Sequence, residues 1–338
     1  MKAIVTGATG HIGNVLVRLL LNKGFKVRAL TLPGEPLDSL KGLDIEIIKG
    51  DIRNKDDLSQ AFQGFDLVFH LAGIISILPG YKKILDEINV IGTRNIVQAC
   101  QEIGIKRLIF TSSIHAIVEP PKGCFIDEVC DINPENTVGD YAKSKAQATL
   151  EVKKGIQNGL EAVIVFPTGV IGPYDFRISE MGHLILDYLK GKVKFYIDGA
   201  YDFVDVRDVA EGLYMAAIEG TNGEGYILSG HQVTVKEMFD LLEEITKIKS
   251  PDLKIPMVVA RVLAPFAVLW YLITKSKPRF TPYSLFTLCS NSLVNCNKAK
   301  EAFGYQPRPI KETLRDTVSW FYETGKAVNK KVKLVRIG

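Results

Sequence analysis

The chain has 338 residues, of which 46% are hydrophobic, with 42 basic and 38 acidic side chains giving a net charge of +4. That content is enough to bury a large core, and the interspersed charges exclude the strong single-sign field expected of a nucleic-acid-binding protein. Five cysteines, Cys100, Cys124, Cys130, Cys289 and Cys296, form no Cys-x-x-Cys pair and are odd in number, which suits the reduced thiols of a cytoplasmic protein; a Cys124–Cys130 bridge stays open but is not required.

Apolar runs suited to buried strands fall at Ala3–Thr6, Val27–Thr31, Ile45–Ile48, Leu67–His70, Arg107–Thr111 and Ala162–Phe166. A first strand so close to residue 1 leaves no room for a signal peptide. Helical patterns occupy Ile12–Asn22, Asp56–Phe62, Ile84–Glu102 and Tyr141–Gln157 between those strands. The alternation predicts an α/β fold: a Rossmann-type doubly wound parallel sheet whose ligand lies outside the carboxyl ends of the strands. Pro167 is expected to stop the sixth ladder. Two more sheet-like pieces, near Phe203–Val206 and Tyr226–Leu228, flank a helix over Arg207–Glu219. The remainder, from about Val233, reads as mainly helical. The expected division is therefore a dinucleotide-binding domain of residues 1–167 plus about 203–232, and a smaller, mainly helical C-terminal substrate domain of 168–202 plus about 233–327. A basic tail, 328–338, follows. The apolar segment Pro256–Ile273 is broken by Arg261 and Pro265 and is shorter than the roughly 20 apolar residues of a bilayer span. It reads as a buried or substrate-facing helix, with contact to a membrane surface as the lesser reading.

Between the first strand and first helix lies Thr6-Gly7-Ala-Thr9-Gly10-His11-Ile12-Gly13. Gly7 allows a tight turn, Gly10 a close approach of backbone N–H groups to phosphate, and Gly13 close packing of helix on strand; the helix N-terminus favours the pyrophosphate charge. Further on, Thr111-Ser112-Ser113 ends a strand, and Tyr141 and Lys145, four apart, share one helix face. A phenol titrates near pH 10 and is a poor base at neutral pH. A neighbouring ammonium and the positive ring of an oxidised nicotinamide are expected to lower that value. Tyr141 would then exchange a proton with a substrate oxygen while hydride moves at carbon, and Ser113 would hold that oxygen; Ser112 is the alternative hydroxyl. The scattered histidines offer no metal-ligand spacing.

These motifs, with Gly50-Asp51-Ile52, His70-Leu71-Ala72-Gly73, Asn89-Val-Ile-Gly-Thr93, Pro167 and Phe203-Val-Asp-Val-Arg-Asp-Val-Ala210, make residues 1 to about 325 resemble the extended short-chain dehydrogenase/reductase superfamily, in its NAD-dependent epimerase/dehydratase group. The resemblance implies catalysis by Ser113, Tyr141 and Lys145. It implies cofactor contacts from Gly7, Thr9, Gly10, His11, Ile12, Asp51 (on the adenine amino group), Ile52, Leu71, Ala72, Gly73, Thr111, Pro167 and Val170, with Lys145 also reaching the nicotinamide ribose. Asn89 would pin the helix after it, and a homodimer is the usual assembly.

Two departures from the pattern bear on specificity. The second strand ends Arg28-Ala-Leu-Thr-Leu32 with no acid for the adenosine ribose, and Arg28 stands near a possible 2′-phosphate; this leans the cofactor from NAD towards NADP. Before the Phe203 segment, Tyr201 occupies the place where nucleotide-sugar enzymes carry a phosphate-gripping arginine, and a phenol cannot supply that forked cationic donor. The resemblance therefore runs towards dihydroflavonol 4-reductases and 3β-hydroxysteroid dehydrogenases. It implies an oxidoreductase interconverting a secondary alcohol and a ketone on an uncharged, moderately hydrophobic small molecule. A nucleotide-sugar epimerase or dehydratase and a non-catalytic dinucleotide-binding regulator are the alternatives. His115, Asp175 and Arg177 are candidate substrate contacts beside Ser113 and Tyr201. For His115 a packing role, and for Asp175 and Arg177 an ion pair shaping their loop, compete with that reading.

Overall fold

The computed structural model describes residues 1–76, 80–274 and 281–327, without the side chains of 267–274. Seven strands form one parallel sheet: β1 (Lys2–Thr6), β2 (Lys26–Thr31), β3 (Glu46–Lys49), β4 (Leu67–His70), β5 (Arg107–Thr111), β6 (Ala162–Pro167) and β10 (Gly225–Leu228). Their order is β10-β6-β5-β4-β1-β2-β3. The chain leaves β1 towards β2 on one side and returns to β4 on the other, so the crevice above β1 and β4 is the switch point where such sheets bind ligands. Strands such as β4 and β6 are buried on both faces, which is why they read as unbroken apolar runs.

The helices α1 (His11–Asn22), α2 (Lys55–Phe62), α4 (Gly92–Ile103), α5 (Asp140–Gln157) and α7 (Val206–Glu219) flank this sheet. The expected single helix over Ile84–Glu102 is instead a short turn, α3 (Lys82–Leu85), a π-helical stretch (Asp86–Ile91) and α4. Pro167 is the last residue of β6, in register with Leu228, rather than the residue after it. It causes no break because the ladder to β10 ends there.

Residues 203–205 are not in the seven-stranded sheet. They belong to β9 (Ala200–Asp205), which pairs in parallel with β7 (Gly169–Ile171) and antiparallel with β11 (His231–Thr234). A two-stranded parallel piece joins β8 (Phe195–Ile197) to β12 (Leu253–Ile255). Around these lie α6 (Glu180–Leu189), α8 (Val235–Thr246), α9 (Met257–Thr274), α10 (Pro282–Cys289), α11 (Asn297–Phe303) and α12 (Ile310–Glu323). Three-residue strands carry too little periodicity to be read from sequence.

The Phe203–Ala210 motif is structural. Asp205 is the N-cap of α7, accepting from the Arg207 N–H at 2.8 Å, and its carboxylate pairs with the Arg207 guanidinium at 2.8 Å. Asp208 receives both the backbone N–H and Nε of Arg308, each at 2.8 Å, which ties α7 to the chain entering α12.

The apolar interior divides into a cluster around the seven-stranded sheet, a second that joins α6, α8 and α12 to β9, and a small third under α9 and α10. Among the described residues all five cysteines are free, Cys124 and Cys130 included. No helix among them is long and apolar enough to cross a membrane. The tail 328–338 lies outside the described residues.

Candidate active site

The glycine loop follows from steric necessity. Gly7 has φ +69°, and a Cβ there would meet the Ala72 backbone nitrogen at 2.7 Å, so β1 turns hard against the loop after β4. A Cβ on Gly13 would lie 2.1 Å from the Gly7 carbonyl oxygen; only glycine lets α1 start beneath that turn. A Cβ on Gly10 would meet only the Gly7 oxygen, at 3.2 Å, so the loop's outer surface is open for a ligand to approach the backbone. Gly10 caps α1, and the free N–H groups of the helix's first turn face the crevice end of the sheet.

Behind this loop, Thr6 Oγ1 contacts His70 Nδ1 at 2.8 Å and accepts from the Ala72 N–H at 3.1 Å, and His70 Nε2 meets Thr93 Oγ1 at 3.0 Å. Burial pushes His70 down to about 3, so it is a neutral bracket between strands. Asn89, in the π-helical stretch, bonds both backbone groups of Ile74 and donates to Ser144 Oγ at 2.9 Å. It therefore straps the β4 loop, with Leu71 to Gly73, onto α5, rather than acting only on the helix that follows it.

Ser113 ends β5, Tyr141 and Lys145 lie in the first turns of α5, and all three are drawn into one place. The Tyr141 phenol lies beside the Ser113 hydroxyl, which lowers its pKa, but burial is the larger effect and raises it above the ordinary value. Ser113 Oγ itself accepts from the His115 N–H at 3.3 Å. Lys145, 7% exposed, donates from Nζ to the Thr111 carbonyl at 2.7 Å and sits 4.8 Å over the Phe110 ring. Burial brings its pKa down to about 7. In the protein alone, then, the expected depression of the tyrosine is not seen. Burial outweighs the pull of Ser113, and the Lys145 ammonium donates to the Thr111 carbonyl instead of the phenol. The two serines separate: the Ser112 hydroxyl is within 2.7 Å of Thr149 Oγ1 inside the core, while Ser113 faces the phenol. His115 packs edge-on to Tyr141 with centroids 6.4 Å apart, and burial lowers it to about 4, so it is a neutral ring beside the phenol.

Several expected contacts lie elsewhere. Arg28 points away from the strand end: its guanidinium donates to the Ala61 carbonyl at 2.5 Å, pairs with Glu46 and stacks 4.1 Å over Phe65. Mid-strand placement, opposite Glu46 in the register, dictates that direction. Both Asp51 oxygens hold Arg53, which keeps that carboxyl below its usual range; Ile52 is buried against Gly92. Asp175 and Arg177 make no ion pair with each other and have other partners within the protein. Asp175 is buried and accepts from the Ser179 N–H and hydroxyl at 2.8 and 2.7 Å, which shapes its loop. The loop folds back over α1, with His11 Nε2 2.9 Å from the Pro173 carbonyl and Asn14 donating to Tyr174 O at 3.1 Å. Arg177 is thereby carried to the glycine loop, where it donates to Thr9 Oγ1 at 2.8 Å and pairs with Glu35.

A carboxylate does reach the end of β2, that of Glu35. Leu32-Pro33-Gly34-Glu35 makes a turn with Gly34 at φ +78° and Glu35 N–H donating to Leu32 O at 3.2 Å. That turn brings the carboxylate back to the end of β2, where it accepts from the Leu32 N–H at 3.1 Å and from Thr9 Oγ1 at 2.8 Å. Pro then Gly at the two central positions is the signature of such a turn and was the available signal.

Tyr201 is half-buried on β9, its hydroxyl 3.2 Å from the Ser284 carbonyl and 3.3 Å from Thr287 Oγ1, so it braces α10. That brace presents Tyr283, which sequence reading missed. Its ring lies where a Cβ on Gly139 would fall, 2.4 Å from Cε2, at the start of α5. The Tyr283 phenol is pushed well up by burial and by the neighbouring Tyr141, Glu119 and Tyr201, and its oxygen is buried without a hydrogen-bond partner.

Residues 3–228 match the model of the NAD dependent epimerase/dehydratase family. The chain belongs to that family. It is 34% identical to sterol demethylase protein B of Methylococcus capsulatus, over 96% of this chain and 99% of the relative. It is 33% identical to a putative dihydroflavonol 4-reductase of Synechocystis, over 95% and 94%. Among solved structures, that of gox2253 superposes with a TM-score of 0.86 at 30% identity, covering 97% of this chain and 99% of that one. The chain is thus an NAD(P)-dependent enzyme of the extended short-chain dehydrogenase/reductase type. Its residues fit such a cofactor: the glycine cradle is open above Gly10, and the Thr111 hydroxyl, beside Lys145, is buried with no partner of its own.

Proposed function

We propose that this enzyme interconverts a secondary alcohol and a ketone on an uncharged, largely apolar substrate. The observation that carries the reading is the composition of the site around Tyr141. Ser113, neutral His115 and the unpartnered Tyr283 hydroxyl surround the phenol, while Tyr201 stands in place of a phosphate-gripping arginine. Phenols and a serine direct a single polar oxygen; they offer no forked cation for a diphosphate. The names of the two relatives above, a sterol demethylase component and a dihydroflavonol reductase, agree with an apolar substrate class.

Bound nicotinamide dinucleotide supplies the hydride acceptor or donor. The chain's own residues do the rest. Ser113 and Tyr141 hold the substrate oxygen, and Tyr141 takes its proton on oxidation or returns one on reduction. Lys145, whose proton is only part-held near neutrality, stabilises the phenolate electrostatically in its charged form and holds the ribose through its remaining donors. Ser113 and Lys145 are buried and Tyr141 is half-buried, so little water reaches them, which strengthens each of these interactions. Residues 1–167 with part of 203–232 serve the dinucleotide; the remainder shapes the substrate side.

For the dinucleotide we favour NAD over NADP, reversing the expectation drawn from a missing acid. Glu35 holds one oxygen on Leu32 N–H and the other on Thr9 and Arg177, which leaves one lone pair for a ribose hydroxyl and places negative charge against a 2′-phosphate. Calorimetric titration should give tighter NAD binding in the natural protein. Glu35→Gln should move the NAD:NADP ratio at least tenfold towards NADP, because Arg177 is then free for phosphate. An unchanged ratio would count against this role for Glu35.

Purified enzyme offered 3β-hydroxysteroids, dihydroflavonols and nucleotide sugars should show dinucleotide absorbance changes with the first two classes. Tyr141→Phe should lose about 10²–10⁴ in kcat with little change in dinucleotide affinity. Turnover of nucleotide sugars without net dinucleotide reduction, or undiminished activity of Tyr141→Phe, would overturn the proposal.

A further inference from the structure

The first turns of α9 are amphipathic in reverse. Over residues 257–266 only Ala260 and Ala264 are buried, where they touch Ile197, Leu285 and Leu288. The larger side chains point outward: Val258 is 73% exposed, Val262 60% and Phe266 65%, with Val259 and Leu263 exposed beside them. The 258–262–266 spacing sets three of these on one helix stripe. A core helix does the opposite, burying its bulk and exposing its small residues. The expectation that this segment is buried or substrate-facing therefore fails for its described half.

The charge of the sequence around the helix is also one-sided, although Lys254 pairs with Asp198 and Lys298 with Glu224 from elsewhere in the chain. From residue 253 to 300 there is no Asp or Glu, but there are seven Lys and Arg, among them Lys254, Arg261, Lys275, Lys277 and Arg279. The whole chain carries only +4, so the rest of it is net acidic. An outward apolar stripe within a uniformly basic stretch matches the interface of an anionic bilayer, where bulky side chains enter the acyl boundary and cations meet headgroups. A second copy of this chain would bring the same positive charge against itself.

We propose that α9 docks the enzyme on anionic phospholipid surfaces, lying in the interface rather than crossing it. The helix rests on α10, which carries Tyr283 to the catalytic tyrosine. The docking face is thus continuous with the substrate side of the site, an arrangement suited to a substrate that partitions into lipid. The docking itself does not depend on the proposed reaction, and vesicle binding is read without substrate.

The test is flotation of the full-length protein with vesicles of equal parts phosphatidylglycerol and phosphatidylcholine, and with phosphatidylcholine alone. Expected is strong binding to the mixed vesicles, weaker binding to the neutral ones, and release from the former at high salt. The double variant Val262→Glu/Phe266→Glu should lose at least tenfold in binding while keeping its dinucleotide affinity and thermal midpoint. Absence of binding to anionic vesicles would overturn the proposal. So would undiminished binding by that variant, or a solution dimer of the natural protein that the same variant dissolves, since the face would then belong to a second copy.

Discussion

Lys145 is expected to lower the stability of the fold it serves. Its ammonium is buried with one hydrogen bond, to the Thr111 carbonyl, and the Phe110 ring beneath it. A pKa of about 7 in place of 10.5 corresponds to about 5 kcal/mol of unfavourable interaction in the charged form. The unfolded chain binds the proton more tightly than the native one, so the penalty is fully present below pH 7. It shrinks as pH rises from 7 and is gone above about 10.5, the unfolded value. Lys145→Met keeps the apolar stem and removes the charge. It also forfeits the bond to Thr111, leaving a buried carbonyl short of a donor at a cost of about 1–3 kcal/mol. The net expectation is a variant more stable than the natural protein by about 2–4 kcal/mol at pH 6–7. That margin should close, then reverse, as pH approaches 10. Urea denaturation without dinucleotide, at a series of pH values and with m constant, measures it. A Lys145→Met protein less stable at pH 6.5, or a difference independent of pH, would refute the reasoning. The same variant should lose most of its turnover, a trade of stability for function of a familiar kind.

Two further outcomes follow from geometry. Ser113→Ala should depress kcat with little effect on stability, whereas Ser112→Ala should leave turnover nearly intact and cost about 1–2 kcal/mol in the melt, because its hydroxyl is committed to Thr149. Gly13→Ala, with its Cβ 2.1 Å from the Gly7 oxygen, should weaken dinucleotide binding at least a hundredfold by titration and lower the thermal midpoint as well. Retained affinity would mean that the loop can yield where close packing says it cannot.

What the sequence determined alone was whatever is set by local chemistry repeated along the chain. Unbroken apolar runs announced the doubly covered strands β1, β4, β5 and β6, whereas Arg28 interrupts the run of β2. Glycine spacing announced the loop because no other residue fits at Gly7 or Gly13, and Tyr141 and Lys145 were legible because four residues make one helical turn. Tertiary structure decided wherever a residue's direction or partner comes from distant chain. Ser112 and Ser113 are neighbours in sequence, yet the extended backbone at Ser113 sends one hydroxyl to α5's core face and the other to Tyr141. Arg28 looked like a ligand until its place opposite Glu46 turned it away. Arg177, a candidate substrate contact, reaches Glu35 across 142 residues because its loop folds over α1. Tyr283 reaches the site on α10, which Tyr201 braces from β9 and α9 packs against. The outward face of α9 was hidden for the same reason: hydropathy records that side chains are apolar, and only the packing of Ala260 and Ala264 records which of them are left in contact with solvent.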